Sequence, residues 1–160
     1  MSASYGQFCP VAKAMELLDE RWTLLVVREL LMGSRHFNDL RRGLPRMSPG
    51  LLSKRLHTLV RAGVLERSQD GNRVSYALSP AGRELEPIVE ALGSWGIRWV
   101  PEIGDDDLDP HLLMWDIHRN IATESLPVGR TVLRFAFHDV VATQREWWIV
   151  ATPPDVDVCD

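Results

Sequence analysis

Apolar residues recur three and four positions apart along much of the first half of the chain, which is the pattern of helices that pack by one face. This spacing predicts helices over Pro10–Leu18 and over residues 36–42. Residues 22–32 are apolar almost all round, so a buried helix is predicted there, and Gly33 is expected to end it. The chain is therefore expected to begin as a helical domain.

A fourth helix is predicted over residues 48–62, because Ser48 is a favourable N-cap and Pro49 suits the first turn. The apolar stripe of this helix is formed by Leu52, Leu56 and Leu59. Its opposite face carries a small residue and three basic or titratable ones, Gly50, Lys54, His57 and Arg61. The helix can thus bury one side and present the other to a partner.

Two alternating runs, residues 64–67 and 74–78, follow this helix and predict a pair of strands. The segment between them, residues 68–73, contains Asp70-Gly71, which is a strong signal for a hairpin turn. Ser79-Pro80 then caps a fifth helix, predicted over residues 80–99 with one apolar face.

The remainder of the chain has a pattern of its own. Residues 101–108 are predicted to form an acidic linker, and residues 109–121 a helix. Two strand-like runs follow at residues 131–137 and 146–151, and the alternation in residues 155–159 is typical of a strand that is beginning. We expect the two runs to pair and to share one apolar face, formed by Val132, Phe135, Phe137, Trp147, Ile149 and Val150.

Charge divides the 160-residue chain at the same place. Residues 1–100 hold 14 Lys and Arg against 10 Asp and Glu, whereas residues 101–160 hold 4 against 12. Within residues 34–73 there are nine Lys and Arg and three Asp and Glu. This basic segment indicates a local anion-binding surface, and the alternative is an ordinary solvated charged face.

Three short helices, a capped basic helix, a hairpin and a closing helix follow one another in the order of a winged helix-turn-helix. The predicted fold class is therefore mainly α with a β-hairpin wing, plus a small α+β extension at the C-terminus. In such a domain the fourth helix can enter the major groove of DNA, and its N-terminus can face a phosphate. Arg73, at the end of the hairpin, can follow the phosphates of an adjacent groove.

The chain also resembles a known family, the HxlR-type regulators, over roughly residues 8–99. The motifs that carry the resemblance are Cys9-Pro10-Val11, Arg21-Trp22-Thr23-Leu24-Leu25, Arg35-His36-Phe37-Asn38-Asp39-Leu40, Leu44-Pro45, Ser48-Pro49, Leu52-Ser53-Lys54-Arg55-Leu56, Ala62-Gly63-Val64-Leu65-Glu66-Arg67, Tyr76-Ala77-Leu78-Ser79-Pro80-Ala81-Gly82-Arg83 and Trp95-Gly96.

This resemblance implies a homodimer that binds double-stranded DNA at an inverted-repeat operator and pairs through the helices at residues 10–18 and 80–99. The candidate DNA-binding residues are Arg35, Arg46, Ser48, Gly50, Ser53, Lys54, His57, Arg61 and Arg73. The predicted wing is short and holds one cation, so the expectation of DNA contact depends more on the fourth helix than on the wing.

Residues 109–160 resemble the opening of a sterol-carrier-like ligand-binding fold, present either as a truncated domain or as a small appendage. An apolar small-molecule effector is therefore an expected partner. Trp115, Phe135 and Trp147 are the candidate lining of its pocket, and the alternative is that they are ordinary core and surface aromatic residues.

Cys9 lies just before a predicted helix N-terminus, where the helix dipole favours a thiolate, so it is a candidate redox sensor. The alternative is a small buried residue at the dimer interface. Cys9 and Cys159 form no metal-ligand motif, and His111, His118 and His138 lack ligand spacing, so no metal is predicted. No cofactor motif and no catalytic constellation are recognisable, and the chain is predicted not to be an enzyme.

The sequence shows no signal-peptide pattern and no apolar run long enough to span a membrane, which predicts a cytoplasmic protein. We therefore predict a homodimeric transcriptional regulator, a repressor or an activator, whose C-terminal extension receives a signal. The alternative function is a small-molecule or lipid-binding protein whose winged helix mediates protein contacts.

Overall fold

A computed structural model describes residues 4–100, 104 and 107–159 of the protein. The chain divides into two compact units, residues 1–102 and residues 103–160. Most of the acidic linker predicted over residues 101–108 lies outside the described residues. Each unit has a hydrophobic core of its own.

The first unit contains the predicted elements in the predicted order. They are α1 Pro10–Leu18, α2 Thr23–Leu31, α3 Phe37–Gly43, α4 Pro49–Arg61, β1 Leu65–Asp70, β2 Arg73–Leu78, α5 Pro80–Arg83 and α6 Glu86–Trp99. Strands β1 and β2 form an antiparallel hairpin, so the mainly α fold with a hairpin wing is confirmed.

The core of this unit lies among α2, α3, α4 and the hairpin. The apolar stripe predicted on α4 is buried completely or almost so, and Leu40 of α3 packs in the same cluster. Leu44 and Met47, in the turn between α3 and α4, are also buried. These contacts fix the angle between the two helices of the helix-turn-helix, because close-packed side chains tolerate little displacement.

Two predicted boundaries in this unit are wrong. The helix predicted over residues 80–99 is interrupted after Arg83, because Pro87 lacks the N–H that would bond to the Arg83 carbonyl and its ring would clash with that group. The hairpin turn is also shorter than the predicted segment 68–73, because Asp70 pairs with Arg73 and leaves only two residues in the turn. Gly71 has a φ of 55°, a conformation that glycine adopts without strain.

Helices α1 and α6 contain no buried residue. Their apolar stripes, which sequence periodicity identified, largely face outwards in a single chain. Val11 is 68% exposed and Trp95 is 56% exposed. In α6 only one edge of the helix, at Val89, packs against the core. A large apolar surface of the first unit is therefore uncovered.

The second unit is an α-helix against a three-stranded antiparallel sheet. Its elements are α7 Pro110–Asn120, β3 Thr131–Ala136, β4 Glu146–Thr152 and β5 Asp155–Cys159, with strand order β3-β4-β5. Asp109 caps α7 as predicted, since its carboxylate accepts a hydrogen bond from the His111 amide at 3.0 Å. The extra strand β5 confirms that the alternation in residues 155–159 belongs to a strand.

The prediction that the strands of this sheet share a single apolar face is wrong in part. Phe135 pairs with Trp147 on the face whose residues join the core with Met114, but Val132 pairs with Val150 on the opposite face. The reason is the two-residue period of a strand, which places positions 132 and 135 on opposite sides. On that opposite face Arg134 donates two hydrogen bonds to Glu146, at 2.5 and 2.7 Å, which lowers the pKa of the Glu146 carboxyl.

Candidate nucleic-acid interface

Helix α4 presents a continuous exposed face opposite its buried leucines. Five residues are exposed there: Gly50, Ser53, Lys54, His57 and Arg61. The helix begins at a capped N-terminus, where the Ser48 hydroxyl accepts a hydrogen bond from the Leu51 amide at 3.3 Å. Such a face offers hydrogen-bond donors and a helix N-terminus to an anionic partner without disturbing the core.

Arg55 is the one basic residue of α4 that is buried. Its guanidinium forms an ion pair with Glu20 and donates a hydrogen bond from Nε to the carbonyl oxygen of Arg21, at 3.2 Å. Both partners lie in the segment between α1 and α2. The exposed face of α4 is therefore anchored to that segment by a charge-assisted contact in addition to its leucine packing.

That segment contains a backbone conformation that is unusual for a large residue. Trp22 has a φ of 78°, and the guanidinium of Arg21 lies 5.3 Å from the centroid of its ring. A left-handed conformation costs a non-glycine residue about 1–2 kcal/mol. The surrounding contacts hold Trp22 there, next to the carbonyl that accepts from Arg55.

The wing is joined to the start of α3. The Tyr76 amide donates to the Arg35 carbonyl oxygen at 2.8 Å, and the His36 Nδ1 atom lies 3.0 Å from the Val74 carbonyl oxygen. The Asp39 carboxylate accepts from the His36 amide at 3.2 Å and so caps α3. The hairpin therefore has a fixed place beside the helix-turn-helix, next to Arg35, whose side chain is exposed.

The wing carries two exposed arginines, one more than the sequence analysis counted for it. Arg67, at the end of the predicted run 64–67, lies in the middle of β1 because that strand extends to Asp70, and the side chains of Arg67 and Arg73 are both exposed. The first alternating run ended at residue 67 because residues 68–70 are all polar, so the sequence predicted a shorter strand than β1. Arg67 is thus a candidate phosphate contact that the sequence analysis, which counted only Arg73 for the wing, did not name.

The nine Lys and Arg residues between positions 34 and 73 fall into two groups by solvent exposure. Arg55 is buried, and the other eight are exposed: Arg35, Arg41, Arg42, Arg46, Lys54, Arg61, Arg67 and Arg73. Their only acidic neighbours in this stretch are Asp39, Glu66 and Asp70. The surface that surrounds α4 and the wing is therefore rich in cations, as a surface for phosphates requires.

The helix-turn-helix architecture agrees with comparison against known proteins. The family described as HxlR-like helix-turn-helix matches residues 17–104, which is more than half of the chain. The chain belongs to the HxlR-like helix-turn-helix family. This family consists of transcription regulators, which are not enzymes in general.

Individual relatives match somewhat less than three fifths of the chain. The uncharacterized HTH-type transcriptional regulator Rv3095 of Mycobacterium tuberculosis is 43% identical over 96 residues, which are 57% of this chain and 59% of the relative. The uncharacterized HTH-type transcriptional regulator YvaP of Bacillus subtilis is 35% identical over 99 residues, which are 59% of this chain and 92% of YvaP. The match to Rv3095 thus spans about three fifths of that relative.

A solved structure of the redox regulator HypR in its reduced form has a similar fold. It is 28% identical, with a TM-score of 0.53, and the match covers 56% of this chain and 92% of HypR. Cys9, the candidate sensor of the present HxlR-like chain, is half-buried at the N-cap of α1, and its side chain makes no cap hydrogen bond. Both Cys9 and Cys159 are free thiols.

The aromatic residues proposed from sequence to line a ligand pocket all lie in the interior of the second unit. Trp147 and Phe135 pack with Met114, and Trp115 stacks on His118 with ring centroids 4.8 Å apart. Among the described residues, no group of His, Cys, Asp and Glu side chains is arranged to hold a metal ion. None of the described helices has the length and apolar character needed to cross a membrane.

Proposed function

We propose that this protein is a sequence-specific, DNA-binding transcriptional regulator that acts as a homodimer on an inverted-repeat operator. The observation that carries the proposal is the exposed polar face of α4, with its capped N-terminus, opposite a fully packed apolar face. A helix of this kind fits the major groove, where base edges present a distinct pattern of donors and acceptors.

The proposed roles follow from the chemistry of each side chain. Lys54 and His57, one turn apart on α4, donate to acceptors on base edges. Ser48 and Gly50, at the start of α4, let backbone amides approach a phosphate. The remaining candidates are cationic or polar and contact the phosphate backbone: Arg35, Arg46, Ser53, Arg61, Arg67 and Arg73.

The dimer is proposed from the uncovered apolar stripes of α1 and α6. A chain that leaves this much apolar surface in water gains free energy by covering it with a second copy of itself. Two copies related by a two-fold axis present two α4 helices, which is the arrangement that an inverted repeat requires. Cys9, at the N-cap of α1, then lies at or near the interface, either as a small interface residue or as a redox-responsive thiol.

We further propose a division of roles along the chain. Residues 1–100 bind DNA and form the dimer contacts, and residues 109–160 form a unit that binds an apolar small-molecule effector. Residues 101–108 are the linker between these two parts. The acidity of residues 101–160 would repel phosphates and favours a role away from DNA. The site of action is the cytoplasm. Ligand should change the operator affinity of the full chain, and deletion of residues 105–160 should leave operator affinity nearly intact and abolish that change.

The experiment is a selection of genomic DNA fragments with the full chain, followed by fluorescence anisotropy on the selected duplex. Lys54→Ala or His57→Ala should weaken binding by roughly 1–3 kcal/mol if the side chain contacts a base. Arg130→Ala, an exposed residue of the second unit, removes a positive charge away from α4 and should leave affinity unchanged.

Binding of the wild-type chain to the selected duplex should fall steeply with salt and exceed binding to a scrambled duplex. Unchanged affinity in both α4 variants would show that α4 is not the reading helix. Absence of any salt-dependent duplex binding would instead favour the alternative, a small-molecule-binding protein whose winged helix contacts proteins.

A further inference from the structure

The second unit contains a cleft of about 870 Å³ beside the N-terminal half of α7. One wall is formed by α7 and the residues before it, and the other by the segment that follows β3. The lining residues are Asp107, Leu108, Asp109, Pro110, Leu112, Leu113, Asp116, Phe137, His138, Asp139 and Val140. Its volume is in the range of sites that hold small organic molecules. None of Trp115, Phe135 and Trp147 is among the lining residues.

The walls of the cleft are mainly apolar. Leu108 is 65% exposed and Leu113 is 50% exposed, although side chains of this size are usually covered. Phe137 and Val140 complete the apolar surface from the opposite wall. A ligand with an apolar body would remove this surface from water, and the gain scales with the area that it covers.

The formal charges on the acidic and basic lining residues are all negative, apart from any charge on His138. The lining includes four aspartates and neither lysine nor arginine. Three of the carboxylates already have partners within the chain: Asp107 accepts from the Gly104 amide, Asp109 caps α7, and Asp116 pairs with Arg119. Asp139 forms no hydrogen bond or ion pair with the described residues. The cleft therefore combines apolar walls with one carboxylate that is free to pair with a ligand.

We infer that this cleft binds a small organic cation with an apolar, preferably aromatic, body. The positive charge pairs with Asp139 and the apolar body lies against Leu108, Leu113 and Phe137. A cleft with apolar walls strengthens the attraction of its carboxylates for a cation and their repulsion of an anion. The proposed effector therefore belongs to the class of lipophilic cations, and fatty acids and other anionic lipids are excluded from the site.

This inference gives the effector proposed above a chemical class, and it depends on the proposed function only for the effect of binding on DNA affinity. Calorimetric titration of the full chain in the absence of DNA tests it. The probes are tetraphenylphosphonium and tetraphenylborate, which have nearly the same size and shape and opposite charge. Tetraphenylphosphonium should bind once per chain and at least roughly tenfold more tightly than tetraphenylborate.

Variants then locate the site. Asp139→Asn should weaken tetraphenylphosphonium binding roughly three- to tenfold and reduce the difference in affinity between tetraphenylphosphonium and tetraphenylborate. Leu113→Arg, at an exposed wall position, should abolish cation binding, because it fills the cleft and adds a like charge. Asp155→Asn, on β5 outside the cleft, makes the same change in net charge as Asp139→Asn and should leave the affinity for both probes unchanged.

Equal binding of the two probes, no binding of either, or equal weakening by Asp139→Asn and Asp155→Asn would each overturn the inference. Circular dichroism should show that each variant is folded, since all three positions are exposed. Because the titration contains no DNA, its failure would leave the DNA-binding proposal untouched. Loss of operator binding in the anisotropy experiment would likewise leave the cleft assignment untouched.

Discussion

Glu29 of α2 is a fully buried carboxylate, a feature that its apolar surroundings in the sequence did not predict. It accepts hydrogen bonds from Arg28 Nη2 at 2.7 Å and from the Ser34 hydroxyl at 3.4 Å. Gly43, at the end of α3, lies so close that a Cβ atom there would overlap the Glu29 carboxylate. Arg28 also donates to the Gly43 carbonyl oxygen at 3.3 Å. The buried Glu29 side chain and the absence of a side chain at Gly43 therefore determine how closely α2 and α3 pack.

We predict that Gly43→Ala lowers the free energy of unfolding by about 1–3 kcal/mol, because the added methyl group forces the buried carboxylate out of its hydrogen bonds. Urea unfolding followed by circular dichroism measures the change. Gly50→Ala is the matched control, since a Cβ at that exposed helical position meets nothing within 4 Å. The control should be neutral or up to about 1 kcal/mol more stable. A Gly43→Ala protein as stable as wild type would contradict this account.

At the scale of elements, the position of α4 depends on two kinds of contact. Its leucine stripe packs in the core, and Arg55 joins it to the segment between α1 and α2 through Glu20 and the Arg21 carbonyl. The first contact sets the depth of the helix and is not directional. The second is directional, so it restricts rotation of α4 about its own axis, and that rotation decides which side chains face a partner.

We predict that Arg55→Met lowers the free energy of unfolding by about 1–3 kcal/mol, because Met retains the apolar stem of Arg55 but loses the ion pair and the hydrogen bond. The cost stays moderate since the Glu20 side chain is 32% exposed and can be rehydrated. Arg61→Met, on the exposed face of the same helix, should change stability by less than about 0.5 kcal/mol. Equal effects of the two substitutions, measured by urea unfolding, would show that the buried contact contributes nothing to stability.

At the scale of the whole molecule, α1 and α6 expose large apolar side chains that the single chain does not cover. Ile88, Leu92, Trp95 and Trp99 are all more than half exposed on α6, and Val11 is exposed on α1. These side chains do not contribute to the core of the single chain, and they form the surface that the proposed dimer would cover.

We predict that the wild-type chain sediments as a dimer at micromolar concentration and that Trp95→Glu sediments as a folded monomer. A charge in the centre of an apolar interface loses its hydration without gaining a partner, whereas at a solvent-exposed position of a monomer it costs little. Val128→Glu, at a fully exposed position of the second unit, introduces the same charge and should remain dimeric. A wild-type monomer, or a Trp95→Glu dimer of unchanged stability, would remove the basis for an inverted-repeat operator.

Local signals in the sequence determined most elements of this protein. Helical spacing, the caps at Ser48 and Asp109, and the glycine of the wing turn each act within a few residues, so they predict helices, strands and their order without knowledge of the fold. The exposed face of α4 follows from the same periodicity. The break before α6 was also within reach of the sequence, since Pro87 is a local signal of a helix boundary.

Only the tertiary structure decided which surfaces meet. Periodicity gave α1 and α6 apolar stripes like that of α4, yet only α4 buries its stripe within the chain, because burial depends on contacts between residues far apart in sequence. The same is true of Arg55, which charge counting placed with its exposed neighbours, and of Asp139, which the return of the chain after β3 brings to the cleft beside α7. Sequence therefore determined what each segment can present, and the packing of the segments decided what is covered, what is paired and what remains free to bind.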